Sequence, residues 1–228
     1  MQLQQNWKLV QQRIIDSCHR VDRNPNDVQV VAVTKYVDVD TTQAVLDSGL
    51  NQIGESKVQD AVPKWKQIGD RGVWHFIGHL QRNKVKEIIG RFQYLHSLDR
   101  WSLAQELDKR LKQRGESMKC FLQVNVAQEK QKNGIYSHEL KDFALDVANL
   151  SSIEIVGLMT MAPLTPNSEE VRPVFRELKR LQHELQQLQH PQIKVPHLSM
   201  GMSQDFEVAI EEGATWVRLG SVLVGKRS

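Results

Sequence analysis

A lysine closes the first strand-like run of the chain, Val33-Thr34-Lys35-Tyr36. An amine at the end of a buried strand loses part of its hydration against apolar walls, which favours its neutral, nucleophilic form. Such an amine attacks a carbonyl carbon and forms an imine. A surface lysine at a strand end is the competing reading, and position alone does not separate the two. Two turns of small and hydroxylated residues lie near the other end of the chain. They are Leu198-Ser199-Met200-Gly201-Met202-Ser203 and Arg218-Leu219-Gly220-Ser221. Glycines let backbone N–H groups approach an anion closely, and Ser199 and Ser221 offer hydroxyl donors. Gly and Ser are also ordinary turn residues, so one such turn alone carries little weight. Arg218 stands inside the apolar run Thr215 to Gly220. A buried guanidinium needs an acceptor, either a carboxylate such as Glu55 or Asp99 or an atom of a ligand at the strand ends. Glu55, Ser56, His79, Gln81, Asp99, Asn125 and Thr160 also fall at strand ends, where each taken singly reads as structural. His75 and His79 have no third ligand at metal-binding spacing, so no metal site is expected. Neither a G-x-S-x-G elbow nor a phosphate-binding Walker loop is present.

These residues punctuate an alternation of short β-branched runs with longer amphipathic ones. The strand candidates are Val28 to Thr34, Asn51 to Glu55, Trp74 to Gly78, Tyr94 to Leu98, Cys120 to Val126, Glu154 to Thr160, Pro196 to Met200 and Thr215 to Gly220. Several are nearly continuous apolar runs, as strands covered on both faces require. Helical spacing is read over Asp40 to Ser48, Arg100 to Arg114, about Ser168 to Leu188 and Ser203 to Glu212, the last with Ser203 as N-cap. Pro173 leaves the start of the third of these open. A further amphipathic helix, about Gln4 to Arg20, precedes the first strand. Repeated β-then-α units point to a closed parallel barrel. An open doubly wound sheet is the runner-up, but no G-x-G-x-x-G follows the first strand. The expected fold is therefore α/β: a single (β/α)8 TIM-type barrel over residues 1–228 with an extra N-terminal helix. In such a barrel the residues after the strands gather at one mouth, and phosphate is commonly held after strands seven and eight.

Composition narrows the class further. The 228 residues are 40% hydrophobic and 25% charged, enough to bury a sizeable core. The formal charge of +3 is too small and too dispersed to argue for nucleic acid. Nothing approaches a transmembrane run, and the polar N-terminus lacks the pattern of a signal peptide. Cys18 and Cys120 show no paired or metal spacing, which suits a reducing, cytoplasmic setting.

The segments VVAVTKY, IGESKVQDA, WHFIGHLQRNKVK, HSLDR, QVNVAQEKQKNGI, GLMTMAP, LSMGMSQDFEVAIEEGATWVRLGS and VLVG, in this order, resemble the pyridoxal phosphate homeostasis family. Its barrel is similar to the N-terminal domain of alanine racemases. The resemblance implies that pyridoxal 5′-phosphate is bound as a Schiff base on Lys35. It implies one half of a phosphate cradle at Ser199 with the backbone of Met200 and Gly201, and the other half at Gly220 and Ser221. It implies Arg218 facing the pyridine nitrogen, where a permanent guanidinium charge would keep that nitrogen unprotonated and weaken the ring as an electron sink. Ser56 departs from the asparagine usual after Gly-Glu in the family, so a contact from that position to the cofactor ring or phenolic oxygen is not carried over. Racemases with this barrel add a second domain that supplies a tyrosine base, and this chain ends soon after its eighth strand candidate. The expected role is thus a monomeric cytoplasmic carrier in vitamin B6 homeostasis, with no catalytic residue assigned. Its partners would be the cofactor and, transiently, enzymes that accept it, and neither nucleic acid nor membrane is expected. The alternatives are a pyridoxal-phosphate-dependent amino-acid racemase of low activity and a cofactor-free Schiff-base aldolase acting on a sugar phosphate.

Overall fold

The strands are short because each crosses only the wall of a small barrel. The computed structural model describes residues 2–129 and 131–225; residue 130, within QVNVAQEKQKNGI, lies outside them, as do residues 1 and 226–228. The strands are β1 (Gln29–Val33), β2 (Gln52–Glu55), β3 (Val73–Phe76), β4 (Tyr94–Leu98), β5 (Met118–Gln123), β6 (Ile153–Met159), β7 (Ile193–Ser199) and β8 (Trp216–Leu219). They pair in parallel in chain order and close into a barrel, with Val31 of β1 opposite Arg218 of β8. That pairing removes both sheet edges and settles the choice between a barrel and an open sheet. β5 begins at Met118 rather than at Cys120, because the Met118 N–H donates to Ser152 O at 3.0 Å. β7 begins at Ile193, with a register shift against β6 between the pairs Ile155↔Ile193 and Gly157↔His197.

The helices between the strands bury one stripe each. In α5 (Trp101–Arg114) the buried residues are Leu103, Ala104, Leu107, Asp108 and Leu111, and Gly115 ends the helix in the left-handed conformation. In α7 (Arg172–Gln187), Phe175, Leu178, Leu181 and Leu185 recur at helical spacing, and each is worth about 1.5–3 kcal/mol when buried. Pro173 falls in the first turn, where its missing N–H costs no hydrogen bond. The extra helix α1 (Gln2–His19) buries Val10, Ile14 and Cys18. It packs on the late helices α8 (Phe206–Glu211) and α9 (Ser221–Val224), tied by Asn6 Nδ2 to Leu223 O at 2.9 Å and by Arg13 to Glu207 at 2.9 Å. No helix among the described residues is long and apolar enough to cross a membrane.

The core has two parts. A large shell lies between strands and helices. A second cluster, Val31, Phe121, Val156, Met159 and Trp216 with Tyr94 against it, fills the barrel itself. Side chains alternate along a strand. Two residues beyond Val31, Phe121 and Trp216 on their own strands stand Val33, Gln123 and Arg218, which line an open cavity at the C-terminal mouth.

Candidate functional site

The cavity at the mouth measures about 680 Å³, and Lys35, Ser56, His79, Ser203, Arg218 and Ser221 are among the residues that line it. Lys35 is half-buried, and its Nζ lies 4.9 Å from the centre of the Tyr36 ring. The residue before it is clamped. The Thr34 N–H donates to Gly54 O at 3.0 Å, and Thr34 Oγ1 donates to Glu55 Oε1 at 2.6 Å. Lys64 of α3 (Val58–Ile68) donates from Nζ to Thr34 O and to Glu55 Oε1, each at 2.7 Å. Both Glu55 and Lys64 are buried. Glu55 thus faces α3, on the opposite side of β2 from the barrel axis, and is not the partner of Arg218. Nor is Asp99, which pairs with Arg100 at 2.5 Å and lies 3.8 Å from His79. Sequence reasoning missed Lys64. Its signal was its place, in step with the buried Val58 and Ala61, on the core stripe of α3.

Arg218 is only 4% exposed and makes no ion pair among the described residues. Its Nη1 donates to Ser199 Oγ at 2.7 Å and its Nη2 to Thr160 O at 2.9 Å. The Nε–H is left without a partner among the described residues. Burial pulls the guanidinium down to about 10, opposed by the charge of Asp205. Below Ser199 the polar contacts continue into the barrel. Ser199 Oγ lies 2.8 Å from His96 Nδ1, His96 Nε2 lies 2.9 Å from His75 Nδ1, and His75 Nε2 lies 2.7 Å from Gln52 Oε1. Burial holds both imidazoles well below the ordinary histidine range, His75 at about 3.

The two Ser/Gly turns meet beside Arg218, with roles distributed differently from those read in the sequence. Ser199 is fully buried, with its hydroxyl engaged by Arg218 and His96. Met200 is buried too, and its N–H donates to Trp216 O at 3.1 Å. Gly201 has φ +90°, and an added Cβ would stand 2.6 Å from that of Ala209; its carbonyl accepts from the Arg218 N–H at 3.0 Å. None of these three lines the cavity, whereas Met202, Ser203 and Gln204 do. Ser203 is not the N-cap of a helix running to Glu212, since α8 starts only at Phe206 after Asp205. The Asp205 carboxylate accepts from the Met202 N–H at 2.5 Å and closes the turn early. Ser203 Oγ instead accepts from the N–H groups of Gly220 at 3.3 Å and Val222 at 3.5 Å. A hydroxyl oxygen therefore occupies a nest of backbone donors in which an anion oxygen fits. Gly220 and Ser221 line the cavity at this place. On the far wall Gly78 backs onto the neighbouring turn so closely that a Cβ would come within 2.0 Å of Ser56 O.

The arrangement joins one primary amine, one buried guanidinium with a free donor, and a nest of N–H and hydroxyl groups around one concave space. The sequence matches the family model for the alanine racemase N-terminal domain over residues 2–228. A pyridoxal phosphate homeostasis protein of Aquifex aeolicus (strain VF5) is 41% identical, over 96% of this chain and 95% of that protein. The crystal structure of an unknown protein from Bifidobacterium adolescentis superposes with a TM-score of 0.93 at 27% identity, covering 97% of this chain and 94% of that one. PipY of Synechococcus elongatus PCC7942, in its structure with PLP bound, superposes with a TM-score of 0.82 at 34% identity, covering 93% of this chain and 100% of that one.

Proposed function

The chain belongs to the alanine racemase N-terminal domain family and, within it, to the pyridoxal phosphate homeostasis proteins, and from that premise we propose that it binds and buffers pyridoxal 5′-phosphate as a carrier. The observation that carries this reading is the convergence of Lys35, Arg218, Ser203, Gly220 and Ser221 on one cavity. These groups match the cofactor's aldehyde, ring nitrogen and phosphate in chemical type. Lys35 would hold the cofactor through its primary amine, the group that a Schiff base to the aldehyde requires. Arg218 would present its guanidinium to the ring nitrogen. Ser203, Gly220 and Ser221 would hold the phosphate, through the hydroxyl of Ser203 and the donors of the turn after β8. Ser199, Met200 and Gly201 act from behind, the first by holding Arg218 and the other two by setting the path of the turn. When bound, pyridoxal phosphate supplies a reactive aldehyde and an electron sink. A charged donor at the ring nitrogen would keep it unprotonated and weaken that sink, which fits a carrier and is equally compatible with a racemase. The reading treats residues 1–228 as one monomeric, cytoplasmic barrel that meets cofactor-accepting enzymes transiently.

Low racemase activity is the second reading. It draws on His79, which lines the same cavity as Lys35 with Asp99 behind it at 3.8 Å. Two-base proton transfer needs an acid–base group on each face of the bound substrate. The deciding measurement is the absorbance spectrum of the protein saturated with pyridoxal phosphate. A visible Schiff-base band, lost in Lys35→Ala, is expected, and a colourless protein overturns the carrier reading. Amino-acid turnover that vanishes in both Lys35→Ala and His79→Ala moves the assignment to the racemase.

A further inference from the structure

Inside the barrel, beneath the cavity, four side chains follow Arg218 in single file: Ser199, His96, His75 and Gln52. The three contacts after Arg218–Ser199 measure 2.8, 2.9 and 2.7 Å. Ser199, His96 and His75 are fully buried. The donor sense of the whole file follows from its first member. Arginine only donates, so Ser199 Oγ accepts from Nη1 at 2.7 Å. A serine hydroxyl has one proton, and its other neighbour within hydrogen-bond reach is His96 Nδ1. Ser199 therefore donates to Nδ1, which places the His96 proton on Nε2. That N–H donates to His75 Nδ1, which places the His75 proton on its own Nε2, and this donates to Gln52 Oε1. Every link then uses one donor and one acceptor. The opposite sense would leave the buried Ser199 proton without an acceptor and would require the Gln52 amide to be turned over, a cost of about 1–3 kcal/mol for the orphaned group.

We propose that His96 and His75 are positioning residues for Arg218, forming a neutral, one-directional hydrogen-bond relay that fixes the guanidinium without neutralising its charge. The dipoles of the file add head to tail, with the lone-pair end against the guanidinium. The rings are held by stacking: His75 lies 4.5 Å from Tyr94 with planes 6° apart, and His96 lies 4.3 Å from Phe121 with planes 25° apart. A carboxylate at the place of Ser199 would hold Arg218 as firmly but would cancel the charge that the cavity receives. The relay leaves that charge whole, with the Nε–H and one N–H on each of Nη1 and Nη2 still free on a residue that lines the cavity. The functional consequence rests on the cofactor reading above; the proton positions do not.

The first test is nitrogen NMR on the cofactor-free protein labelled with 15N-histidine. Both buried imidazoles should be neutral Nε2–H tautomers; a charged ring or an Nδ1–H tautomer at His96 overturns the relay. The second compares His96→Leu, which cuts the relay, with His96→Gln, which restores an acceptor and a donor. His96→Leu should weaken pyridoxal phosphate binding about tenfold, as for the loss of one hydrogen bond to a charged group. It should also move the 15N shift of a cofactor labelled at its ring nitrogen, while His96→Gln recovers both values to within about threefold and to the wild-type shift, respectively. A folded His96→Leu protein with wild-type affinity and an unmoved ring-nitrogen shift overturns the proposal. If that variant does not fold, the tautomer measurement decides alone. A wild-type protein that binds no pyridoxal phosphate sinks the carrier reading and leaves the tautomer test standing.

Discussion

Under α3, Lys64 and Glu55 form a closed, buried ion pair at 2.7 Å, whereas inside the barrel Arg218 is held by a serine hydroxyl, a backbone carbonyl and the histidines behind them. Both networks support the same cavity, one from outside the strand wall and one from within it. The outer one holds backbone: it grips Thr34 by its carbonyl and its hydroxyl, and the next residue is Lys35. Nothing in the cavity needs its charges, and they cancel each other. The inner one holds a charge that the cavity is to receive, so its members are neutral. Its acceptors stabilise the guanidinium as dipoles do, without a counter-ion. The outer pair also leaves Glu55 Oε2 buried without a hydrogen-bond partner among the described residues. A buried ion pair is weak grounds for stability and is better understood here as a device of geometry.

The sharpest way to break this comparison is to cut the outer pair on one side. Lys64→Met leaves the Glu55 charge buried alone and should cost about 3–5 kcal/mol in denaturant unfolding. The double variant Lys64→Met with Glu55→Leu should recover most of that loss, yet still bind cofactor more weakly because Thr34 is released. A single variant that loses less than about 1 kcal/mol would show that the pair is not closed as described.

Acid should act on the inner network. Burial depresses His75 and His96, so between their unfolded and folded values the unfolded chain binds protons that the native barrel refuses. Stability is therefore complete above about pH 6.5 and falls as pH drops below it, toward about 3 for His75. Each histidine contributes a slope of up to about 1.4 kcal/mol per pH unit in that window. Thermal unfolding between pH 7 and pH 5 reads this directly, and His96→Gln should flatten the slope by one histidine's share. An unchanged slope would mean that His96 does not stay neutral in the fold.

Smaller effects follow nearer the surface. Ser203→Ala removes a hydroxyl that the reading places on the phosphate, and should weaken cofactor binding several-fold, about 1 kcal/mol, with little change in unfolding. Equal affinity would return that role to the other hydroxyls of the two turns. Arg180, half exposed on α7, pairs with Glu177 and Glu184. Arg180→Ala should change stability by no more than about 0.5 kcal/mol, the exposed reference against which both buried networks are measured.

The strands of the chain were legible to within three residues, while the helices Val58–Ile68 and Leu140–Ala148 were not among the helical patterns read. Tyr94 to Leu98 matches β4 end for end, whereas β5 starts two residues and β7 three residues before the expected run. Lys35, Arg218, Gly220 and Ser221 could be placed at the barrel mouth from the sequence because each stands near a strand end or in the turn beyond it. The two serines of LSMGMS were not separable, since either hydroxyl in that turn looks equally fit for an anion. Ser199 is the last residue of β7 and is buried against Arg218 and His96; Ser203 lies in the turn and lines the cavity. The histidines of β3 and β4 gave no local signal either. Each is one residue in a short strand, and its meaning comes from a neighbour on another strand, His75 to His96 and His96 to Ser199.

By itself the sequence determined the order of elements, the end of each strand at which chemistry gathers, and the amine, guanidinium and small-residue turns available there. These follow from local energetics, in which side-chain alternation, helix stripes and glycine's freedom act over a few residues. Only the tertiary structure decided the partners: Lys64 rather than solvent for Glu55, Ser199 rather than a carboxylate for Arg218, Gly220 and Val222 for Ser203. Those choices depend on closure of β1 against β8 and on the register of each strand. A shift of one residue along a strand exchanges its inward and outward faces, and no local pattern records which register closes the barrel.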